Sequence, residues 1–350
     1  MRLLYLGASI ANNLANPLAN NIRFCDHQEL QNLKLGHDEY ARFLDLIKTN
    51  TKVKQLALVS TCNRFELFIY AEEIENLAQE LPEQMASLIK TPELLSSLFD
   101  DDARLHFYRT FCGLNSGLIG EGEVCLQIET SFRQCFTMGY LGLEGIALLE
   151  SAKQLKQALE ESQHLETSSY CKVAIDSVIE KLPKLPDSVV VLGSGSTAMQ
   201  SCLALIDAGI SASQITLVHR TSSSSYQVCG FNENNDLSKM QFIRSKDGYH
   251  VTKVKELVMS SDMAIFAIDS RLPVFNIPKN LKTVLVDFNS HPSVTFEIGI
   301  DLMNYFSCQR LDKFIREYSS RILANPDKFK QIQAVEERLA QLRSSDLVHF

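Results

Sequence analysis

The sequence predicts an α+β N-terminal domain, a doubly wound α/β domain after it and a short helical segment at the C-terminus. Three observations support this prediction. Strand and helix patterns alternate early in the chain, a glycine-rich turn joins a strand to a helix near the middle, and two apolar helical stripes lie near the end. At 350 residues the chain is long enough for two or three domains of roughly 150 residues each. We place the domains at 1–145, 146–305 and 306–350.

The composition is that of an ordinary globular protein, with 45% hydrophobic and 22% charged residues. The longest apolar runs, such as 188–192, are too short to cross a bilayer, and the N-terminus lacks a signal-peptide core. We therefore expect a cytoplasmic protein with no membrane partner. A net charge of -8 argues against a protein that holds nucleic acid mainly through phosphate attraction.

The number and spacing of the cysteines argue against disulfide bonds and against a structural zinc site. There are nine of them, an odd number, and none forms a Cys-x-x-Cys pair. This pattern disfavours both a disulfide framework and a structural zinc site, so no metal is predicted.

The first domain begins with short strand patterns at 2–6, 55–59 and 66–70, separated by helical patterns at 39–48 and 81–89. Cys62 lies in the turn between the second and third of these strands. The thiolate is the reactive form of cysteine, and a neighbouring guanidinium stabilises it, so Arg64 is a candidate activator. The alternative is a buried cysteine beside a turn.

A second polar turn at 113–121 leads into a helical pattern that continues towards Met138. Two long helical patterns follow at 146–164 and 171–182. Pro183 and Pro186 then interrupt the pattern and predict a boundary before the next strand.

The run at 188–198 reads as an apolar strand, a tight glycine turn and a helix, with the pattern G-x-G-x-x-A. Gly193 would supply the turn, Gly195 would let a pyrophosphate approach the backbone, and Ala198 would allow close helix packing. The helix N-terminus would offer free N–H groups to phosphate. This unit predicts a Rossmann-type dinucleotide site whose cofactor-binding residues include Gly193, Ser194, Gly195, Ser196, Thr197 and Ala198.

The end of the next strand pattern, 215–218, indicates which cofactor is bound. An NAD site would carry Asp or Glu there, but this chain has His219, Arg220 and Thr221. A cation and hydroxyls suit a 2′-phosphate, so Arg220 and Thr221 favour NADPH; the alternative is that Arg220 is simply solvated. Strand patterns at 263–268 and 283–288 complete the predicted sheet.

Two helical stripes follow residue 308, divided at Pro326. Such stripes need a partner, which could be their own domains or a second subunit. The members of the first stripe are Leu311, Phe314, Ile315, Tyr318 and Ile322, and those of the second are Phe329, Ile332, Val335, Leu339 and Leu342.

Three segments, taken in this order and spacing, resemble the glutamyl-tRNA reductase family. They are Ser-Thr-Cys-Asn-Arg at 60–64 with Glu66, the run from His106 through Cys-Gly-Leu-Asn-Ser at 112–116 to Gly-Glu at 120–121, and the glycine motif. The similarity covers residues 1–320, and its most specific parts are 60–66 and 106–127.

The resemblance implies an α+β catalytic domain and an NADPH-binding Rossmann-type domain. It implies an enzyme that takes glutamate from glutamyl-tRNA as a cysteine thioester, reduces it with NADPH to glutamate-1-semialdehyde, and so begins tetrapyrrole (porphyrin and 5-aminolevulinate) synthesis. Cys62 would be the nucleophile and His106 the second catalytic residue, although a histidine between Leu105 and Phe107 could also be a core residue. The implied substrate-binding residues are Thr61, Asn63, Arg64, Ser116, Glu121, Gly122, Glu123 and Gln127.

The chemistry asks for these residue types. A thiolate can attack an aminoacyl ester, and a thioester accepts hydride far more readily than a carboxylate. Arg64 can pair with the carboxylate of the glutamyl group, and acidic residues with its ammonium. His106 could protonate the departing ribose oxygen or polarise the thioester carbonyl.

The chain departs from the family pattern at several places. Ala8-Ser9 stands where the family usually has Asn-His, Glu121-Gly122-Glu123 where it usually has Glu-Pro-Gln, and His164 where it usually has arginine. The chain also leaves little room for the helical domain through which family members dimerise and engage tRNA. The implied partners are glutamyl-tRNA, glutamate-1-semialdehyde aminomutase and a second copy of the chain.

Two other functions fit the residues. One is a regulatory protein of the same fold that binds tRNA or nucleotide without turnover, which the substitutions at Ser9, Gly122, Glu123 and His164 support. The other is an unrelated NADP-dependent thiol aldehyde dehydrogenase, which would not need tRNA.

Overall fold

The protein is described here by a computed structural model of the chain. The structure describes residues 1–9, 25, 29–30, 32–33, 35, 37–61, 63–162, 168–220, 239–245, 248–249, 251–268, 273–278, 281–289, 292–296 and 302–344. The chain forms two compact units: Met1–Ser168 with Ser319–Phe350, and Ser169–Tyr318.

The first unit is built on a four-stranded antiparallel sheet in the order β2-β3-β1-β4. Its strands are β1 (Arg2–Ser9), β2 (Gln55–Ser60), β3 (Arg64–Ala71) and β4 (Ser96–Phe99). Its helices are α1 (His37–Lys48), α2 (Ile74–Met85), α3 (Asp100–Phe111), α4 (Gly122–Thr137) and α5 (Leu143–Glu161), with a short 3₁₀ helix at Pro92–Leu94.

Both faces of this sheet are buried, because helices pack on each side. On one face Phe65 of β3 meets Phe43 of α1 with ring centroids 5.6 Å apart. On the other face Phe68 meets Phe107 of α3 at 5.2 Å. Side chains alternate along a strand, so Arg64 and Glu66 share the face of Phe68 and lie under the side covered by α3.

The predicted α+β arrangement is confirmed, but one helix was placed wrongly. The sequence pattern indicated a helix at 81–89, and the structure has α2 at Ile74–Met85. Ile74, Leu77, Leu81 and Met85 are all fully buried, and this stripe against the sheet sets the start of the helix.

Helix α5 and the C-terminal residues lie in the first unit, which differs from the boundaries placed at 145 and 305. Leu148, Leu149 and Ala152 of α5 are buried in the same core as the antiparallel sheet. Burial of this apolar face places α5 in the first unit.

The second unit contains a parallel six-stranded sheet in the order β12-β10-β8-β5-β6-β7, which confirms the predicted doubly wound arrangement. A small parallel pair, β11-β9, accompanies it. The strands are β5 (Val189–Leu192), β6 (Ile215–His219), β7 (Gln241–Arg244), β8 (Met263–Phe266), β9 (Phe275–Ile277), β10 (Val284–Asp287), β11 (Val294–Phe296) and β12 (Tyr305–Phe306). Its helices are α6 (Tyr170–Ile179), α7 (Ser196–Asp207) and α8 (Thr252–Ser260), with 3₁₀ turns at Ala212–Gln214 and Leu302–Asn304.

The last two helices that the structure describes are α9 (Cys308–Ala324) and α10 (Pro326–Ser344). The second apolar stripe finds its partner within the first unit, where Val335 and Leu339 are buried in the core and α10 packs against α3. Phe329 is exposed, so the stripe is narrower than the sequence pattern indicated. The side chain of Leu342 lies outside the described residues.

No helix in the part of the chain that the structure describes is long and apolar enough to cross a membrane. Within the same residues, no group of three or more His, Cys, Asp or Glu side chains is arranged to hold a metal ion.

Candidate active site

A buried polar cluster lies at one end of the antiparallel sheet, under α3. Arg64 and Glu66 come from β3 and His106 from α3, and each is almost completely buried. Glu66 Oε1 is 3.1 Å from His106 Nε2 and 3.4 Å from Arg64 Nη1. One carboxylate oxygen therefore joins the predicted catalytic histidine to the predicted substrate-binding arginine.

Glu66 is an anion at neutral pH, and its surroundings explain why. Burial acts to raise the pKa of Glu66, but the charge of Arg64 and the hydrogen bond from His106 outweigh burial and leave the pKa lowered. A buried carboxylate held in this way needs its partners, because an unpaired charge in the interior is costly.

The loop after α3 supplies the second side of the cluster. Arg64 Nη2 donates a hydrogen bond to Ser116 Oγ at 3.0 Å, which brings the predicted residue Ser116 into the site. The loop bends sharply at Gly113, where φ is +74° and a Cβ would lie 2.6 Å from the backbone nitrogen of Glu121. Only glycine fits this approach, so the turn holds Ser116 against Arg64.

Asn115 fixes the protonation pattern of His106. The Asn115 Nδ2 group lies 3.2 Å from His106 Nδ1 and 3.0 Å from Thr110 Oγ1. An amide NH₂ group only donates, so His106 Nδ1 accepts a hydrogen bond and Nε2 carries the proton that faces Glu66. The contacts of His106 thus place a hydrogen on Nε2, facing Glu66.

Tyr5 of β1 closes the cluster from beside His106, with ring centroids 4.2 Å apart. The hydroxyl of Tyr5 fits because residue 7 is glycine: a Cβ there would lie 2.5 Å from it. Tyr5 Oη, Arg64 Nε and Glu66 Oε2 have no hydrogen-bond partner among the described residues. Buried polar atoms normally have partners, so these three are suited to meet polar groups of a ligand or water.

The turn that carries the predicted nucleophile is closed by hydrogen bonds at its ends. Thr61 N donates to Arg64 O at 2.9 Å, and Asn63 N donates to Thr61 Oγ1 at 3.2 Å. Cys62, between Thr61 and Asn63, lies outside the described residues. The chain therefore enters the polar cluster through Arg64 immediately after the cysteine turn.

The remaining predicted substrate residues lie at the start of α4. Glu121 is the buried residue before the helix, Gly122 and Glu123 begin it, and Gln127 follows one turn later. Gly122 N donates to Ser168 O at 2.9 Å. Their role towards substrate stays a prediction.

Two of the departures from the family pattern can be placed. Ser9 is buried and lies opposite Arg64 in the β1–β3 register, next to Ala8. Gly122 is the first residue of α4. His164 lies outside the described residues.

Four residues of the cluster were not predicted as site residues: Tyr5, Glu66, Thr110 and Asn115. Thr110 could have been found from the helix spacing, because it is four residues from His106 and so lies on the same helix face. Glu66 and Asn115 lie inside the segments that carry the family resemblance. No sequence pattern pointed to Tyr5, because only the pairing of β1 with β3 brings it beside His106.

The glycine motif in the second unit has the geometry that a dinucleotide site needs. Gly193 has φ of +135°, and a Cβ there would lie 2.1 Å from Ala267 O. At Gly195 no atom of the described residues lies within 4 Å of the position of a Cβ, so these residues leave the backbone before α7 open to a ligand. The first turn of α7 contains Ser196 and Thr197, Ser194 lies in the turn, and Ala198 is buried against Gly193.

Arg220 follows β6 directly, at the carboxyl edge of the parallel sheet. Its guanidinium lies over the ring of Tyr249, 5.2 Å from the ring centroid. This stacking restricts the orientation of the guanidinium, and the predicted role of Arg220 towards a 2′-phosphate stays a prediction. Thr221 lies outside the described residues.

Fold and site together define a two-unit protein in which an α+β unit with a buried polar cluster is joined to a Rossmann-type unit. Residues 19–157 match the family model "Glutamyl-tRNAGlu reductase, N-terminal domain". This part of the chain is therefore similar to the N-terminal domain of glutamyl-tRNA reductases, the family that the sequence motifs resemble.

Named relatives show how far the similarity extends. A glutamyl-tRNA reductase of Exiguobacterium sp. is 29% identical over 202 residues, which cover 55% of this chain and 44% of the relative. One from Cyanophora paradoxa is 23% identical over 283 residues, covering 72% and 60%. The chain thus spans about half the length of these curated relatives. A solved glutamyl-tRNA reductase from Methanopyrus kandleri aligns over 98% of this chain and 78% of its own, with 19% identity and a TM-score of 0.48.

Proposed function

We propose that the protein reduces glutamyl-tRNA to glutamate-1-semialdehyde with NADPH, through a thioester on Cys62, and releases tRNA. One observation carries the proposal: the ionised Glu66 joins His106 and Arg64 in a buried cluster that begins two residues after Cys62. A nucleophile, a proton carrier and a carboxylate receptor are the parts that this chemistry requires.

The first step joins the glutamyl group to the protein. The Cys62 thiolate attacks the acyl carbon of the ester, a C–S bond forms, and the C–O bond to the ribose of tRNA breaks. The departing ribose oxygen takes up a proton. Of the two predicted roles of His106, protonating this oxygen requires its imidazolium form, whereas polarising the thioester carbonyl requires only an N–H hydrogen-bond donor.

Arg64 is assigned to bind the side-chain carboxylate of the glutamyl group. Its Nη atoms already contact Glu66 and Ser116, while Nε has no partner among the described residues. The Glu66 and Ser116 contacts hold the guanidinium plane fixed, and a fixed plane loses little entropy when an anion binds. Glu121 and Glu123 are assigned to the ammonium group.

The second unit is assigned to hold NADPH, and its residues fit that cofactor. The open backbone at Gly195 and the N-terminus of α7 suit a pyrophosphate, and Arg220 suits a 2′-phosphate. When bound, NADPH would supply the hydride that reduces the thioester to the aldehyde. Glutamyl-tRNA, a second copy of the chain and the aminomutase that consumes the semialdehyde are the partners included in this proposal.

A second candidate function is a regulatory protein that binds tRNA or nucleotide without turnover. The buried Ser9 opposite Arg64 favours it, because this position borders the cluster and differs from the usual family residue. The test below separates the two functions.

The test is an assay with purified, reduced protein, glutamyl-tRNA and NADPH, following the loss of reduced cofactor. We expect oxidation that requires acylated tRNA and falls to background in Cys62→Ser. His106→Asn should slow it strongly, and Cys308→Ser, a matched cysteine change in α9, should leave it unchanged.

Three outcomes would contradict the proposal. Cofactor binding without oxidation in the unaltered protein would favour the regulatory function. Oxidation with a free acyl phosphate or aldehyde in place of glutamyl-tRNA would favour a thiol aldehyde dehydrogenase. Full semialdehyde formation by Cys62→Ser would exclude the thioester.

A further inference from the structure

A buried chain of polar contacts leads from His106 to the C-terminal helix α10. Asn115 Oδ1 accepts a hydrogen bond from Arg109 Nε at 3.2 Å, and Arg109 Nη1 forms an ion pair with Glu336. Arg109 lies on α3 and Glu336 on α10, so residues 227 positions apart in sequence meet here. None of these contacts was predicted from the sequence.

Two groups orient the Asn115 amide: Arg109 Nε donates to Oδ1 at 3.2 Å, and the backbone oxygen of His106 accepts from Nδ2 at 3.3 Å. A guanidinium only donates hydrogen bonds, so the amide oxygen must face Arg109 and the NH₂ group must face His106. If the amide were reversed, its NH₂ group would oppose Arg109 Nε–H and its oxygen would face His106 Nδ1. Arg109 thereby helps to place the proton of His106 on Nε2, although it does not touch the imidazole.

The carboxylate of Glu336 compensates the charge of the buried Arg109. Arg109 is 1% exposed, and a cation at such a site needs an opposite charge close by. The side chain of Glu336 is 22% exposed, so α10 places a carboxylate at the boundary between core and solvent.

A second contact ties the C-terminal helices to the same loop. Ser319 Oγ of α9 donates to Gly117 O at 2.8 Å and accepts from Ile119 N at 3.4 Å. Gly117 follows Ser116 directly and Ile119 lies two residues further on, so α9 contacts the same loop that contacts His106 and Arg64.

The geometry points to Arg109 and Glu336 as positioning residues of His106: α10 supplies the charge that holds Arg109, and Arg109 orients Asn115, which selects the Nε2–H form of the imidazole. This inference rests on the proposed function in one respect, namely that the Nε2–H group of His106 takes part in the reaction. The orientation itself can be measured without turnover.

The test is long-range ¹H–¹⁵N correlation NMR of the full chain with ¹⁵N-labelled histidine. The His106 signal is assigned by its absence in His106→Gln. In the unaltered protein we expect a single imidazole form, with Nδ1 in the unprotonated range and Nε2 in the protonated range. The double variant Arg109→Met with Glu336→Leu removes both charges and keeps an apolar contact, and there we expect a mixture of the two tautomers.

Single variants keep the test decisive if the double variant does not fold. Glu336→Gln keeps the size of the side chain and should also yield a second tautomer. Glu337→Gln makes the same change one residue later on the exposed side of α10 and should leave the His106 signal as it is. An unchanged His106 spectrum in the double variant, or in Glu336→Gln when the double variant fails to fold, overturns the inference.

The same samples separate this inference from the proposed function. If the unaltered protein does not oxidise NADPH with glutamyl-tRNA but the tautomer responds as described, the positioning role stands and the proposed function fails. If the protein oxidises NADPH with glutamyl-tRNA but the tautomer of His106 does not change in the variants, the proposed function stands and the positioning role fails.

Discussion

At the scale of single residues, the first unit carries an alternating series of charged and neutral polar groups through its interior. Arg64 and Glu66 form one pair, Arg109 and Glu336 form another, and His106 with Asn115 connects them. Each charge has an opposite charge beside it, which is the condition for keeping ions out of water. This pairing makes the series sensitive to any change that removes one member.

Glu66→Gln tests the first pair. The amide leaves the buried Arg64 without a counter-charge, and breaking a buried pair in this way costs about 3–5 kcal/mol. We expect a loss of that order in the free energy of unfolding, measured by urea denaturation. Glu129→Gln, which removes a carboxylate from a solvated network with Lys153 and Arg133, should cost less than about 1 kcal/mol. Equal losses in the two variants would contradict the importance of the Glu66 pair.

The pH dependence of stability should separate Glu66 from Glu336, because their pKa values shift in opposite directions. The Glu66 pKa lies below its ordinary value of 4.5, since Arg64 and His106 outweigh burial. Its contribution to stability is present above pH 4.5 and is lost as the pH falls through the lowered pKa. Burial raises the pKa of Glu336 above 4.5 despite Arg109, so its contribution is present below pH 4.5 and is lost as the pH rises through the raised pKa.

Urea unfolding across the acid range checks these signs. Compared with the unaltered protein, Glu66→Gln should lose stability less steeply as the pH falls below 4.5. Glu336→Gln should lack the decline that accompanies rising pH just above 4.5. Parallel pH profiles for both variants would show that neither carboxylate titrates as described.

At the scale of elements, the strand–turn–helix unit was the part that the sequence described best. The predicted strand and helix are β5 and α7, and Gly193 has the positive φ that a tight turn requires. This success has a local cause, because a glycine turn is set by sterics within a few residues. Helix α2 was misplaced because its ends depend on which residues the sheet buries.

The two glycines of this unit should respond differently to alanine. Gly193→Ala puts a methyl group against Ala267 O in a backbone region that alanine avoids, so it should lower both the melting temperature and NADPH affinity. Gly195→Ala meets no atom of the residues that the structure describes within 4 Å, so it should keep the melting temperature and weaken only NADPH binding. Thermal unfolding and fluorescence titration with NADPH measure the two effects. Unchanged NADPH affinity in Gly195→Ala would place the pyrophosphate elsewhere.

At the scale of the whole molecule, the chain returns to its first unit after forming the second. Helix α10 contributes Val335 and Leu339 to the core that contains the antiparallel sheet, and Glu336 lies between them in sequence. The C-terminal stripe therefore has its partner within the same chain, one of the two alternatives that the sequence left open.

Deleting residues 326–350 should therefore destabilise the first unit. Burial of Val335 and Leu339 contributes about 1.5–3 kcal/mol each, and the deletion also leaves Arg109 without Glu336. Hydrogen exchange should become faster in β1, β3 and α3, while β5 and α7 should keep their protection. Exchange that is unchanged in α3 would show that α10 does not stabilise this unit.

The sequence by itself determined what depends on neighbours along the chain: the alternation of strands and helices, the glycine turn, the cation after β6 and the motifs that carry the family resemblance. These features are fixed within windows of a few residues by sterics and periodicity. Only the tertiary structure decided that α5 and α10 belong to the first unit, that Tyr5 lies against His106, and that Glu336 balances Arg109. Those contacts join residues as far apart as 227 positions, and their free energy comes from burial and charge pairing that no local pattern encodes.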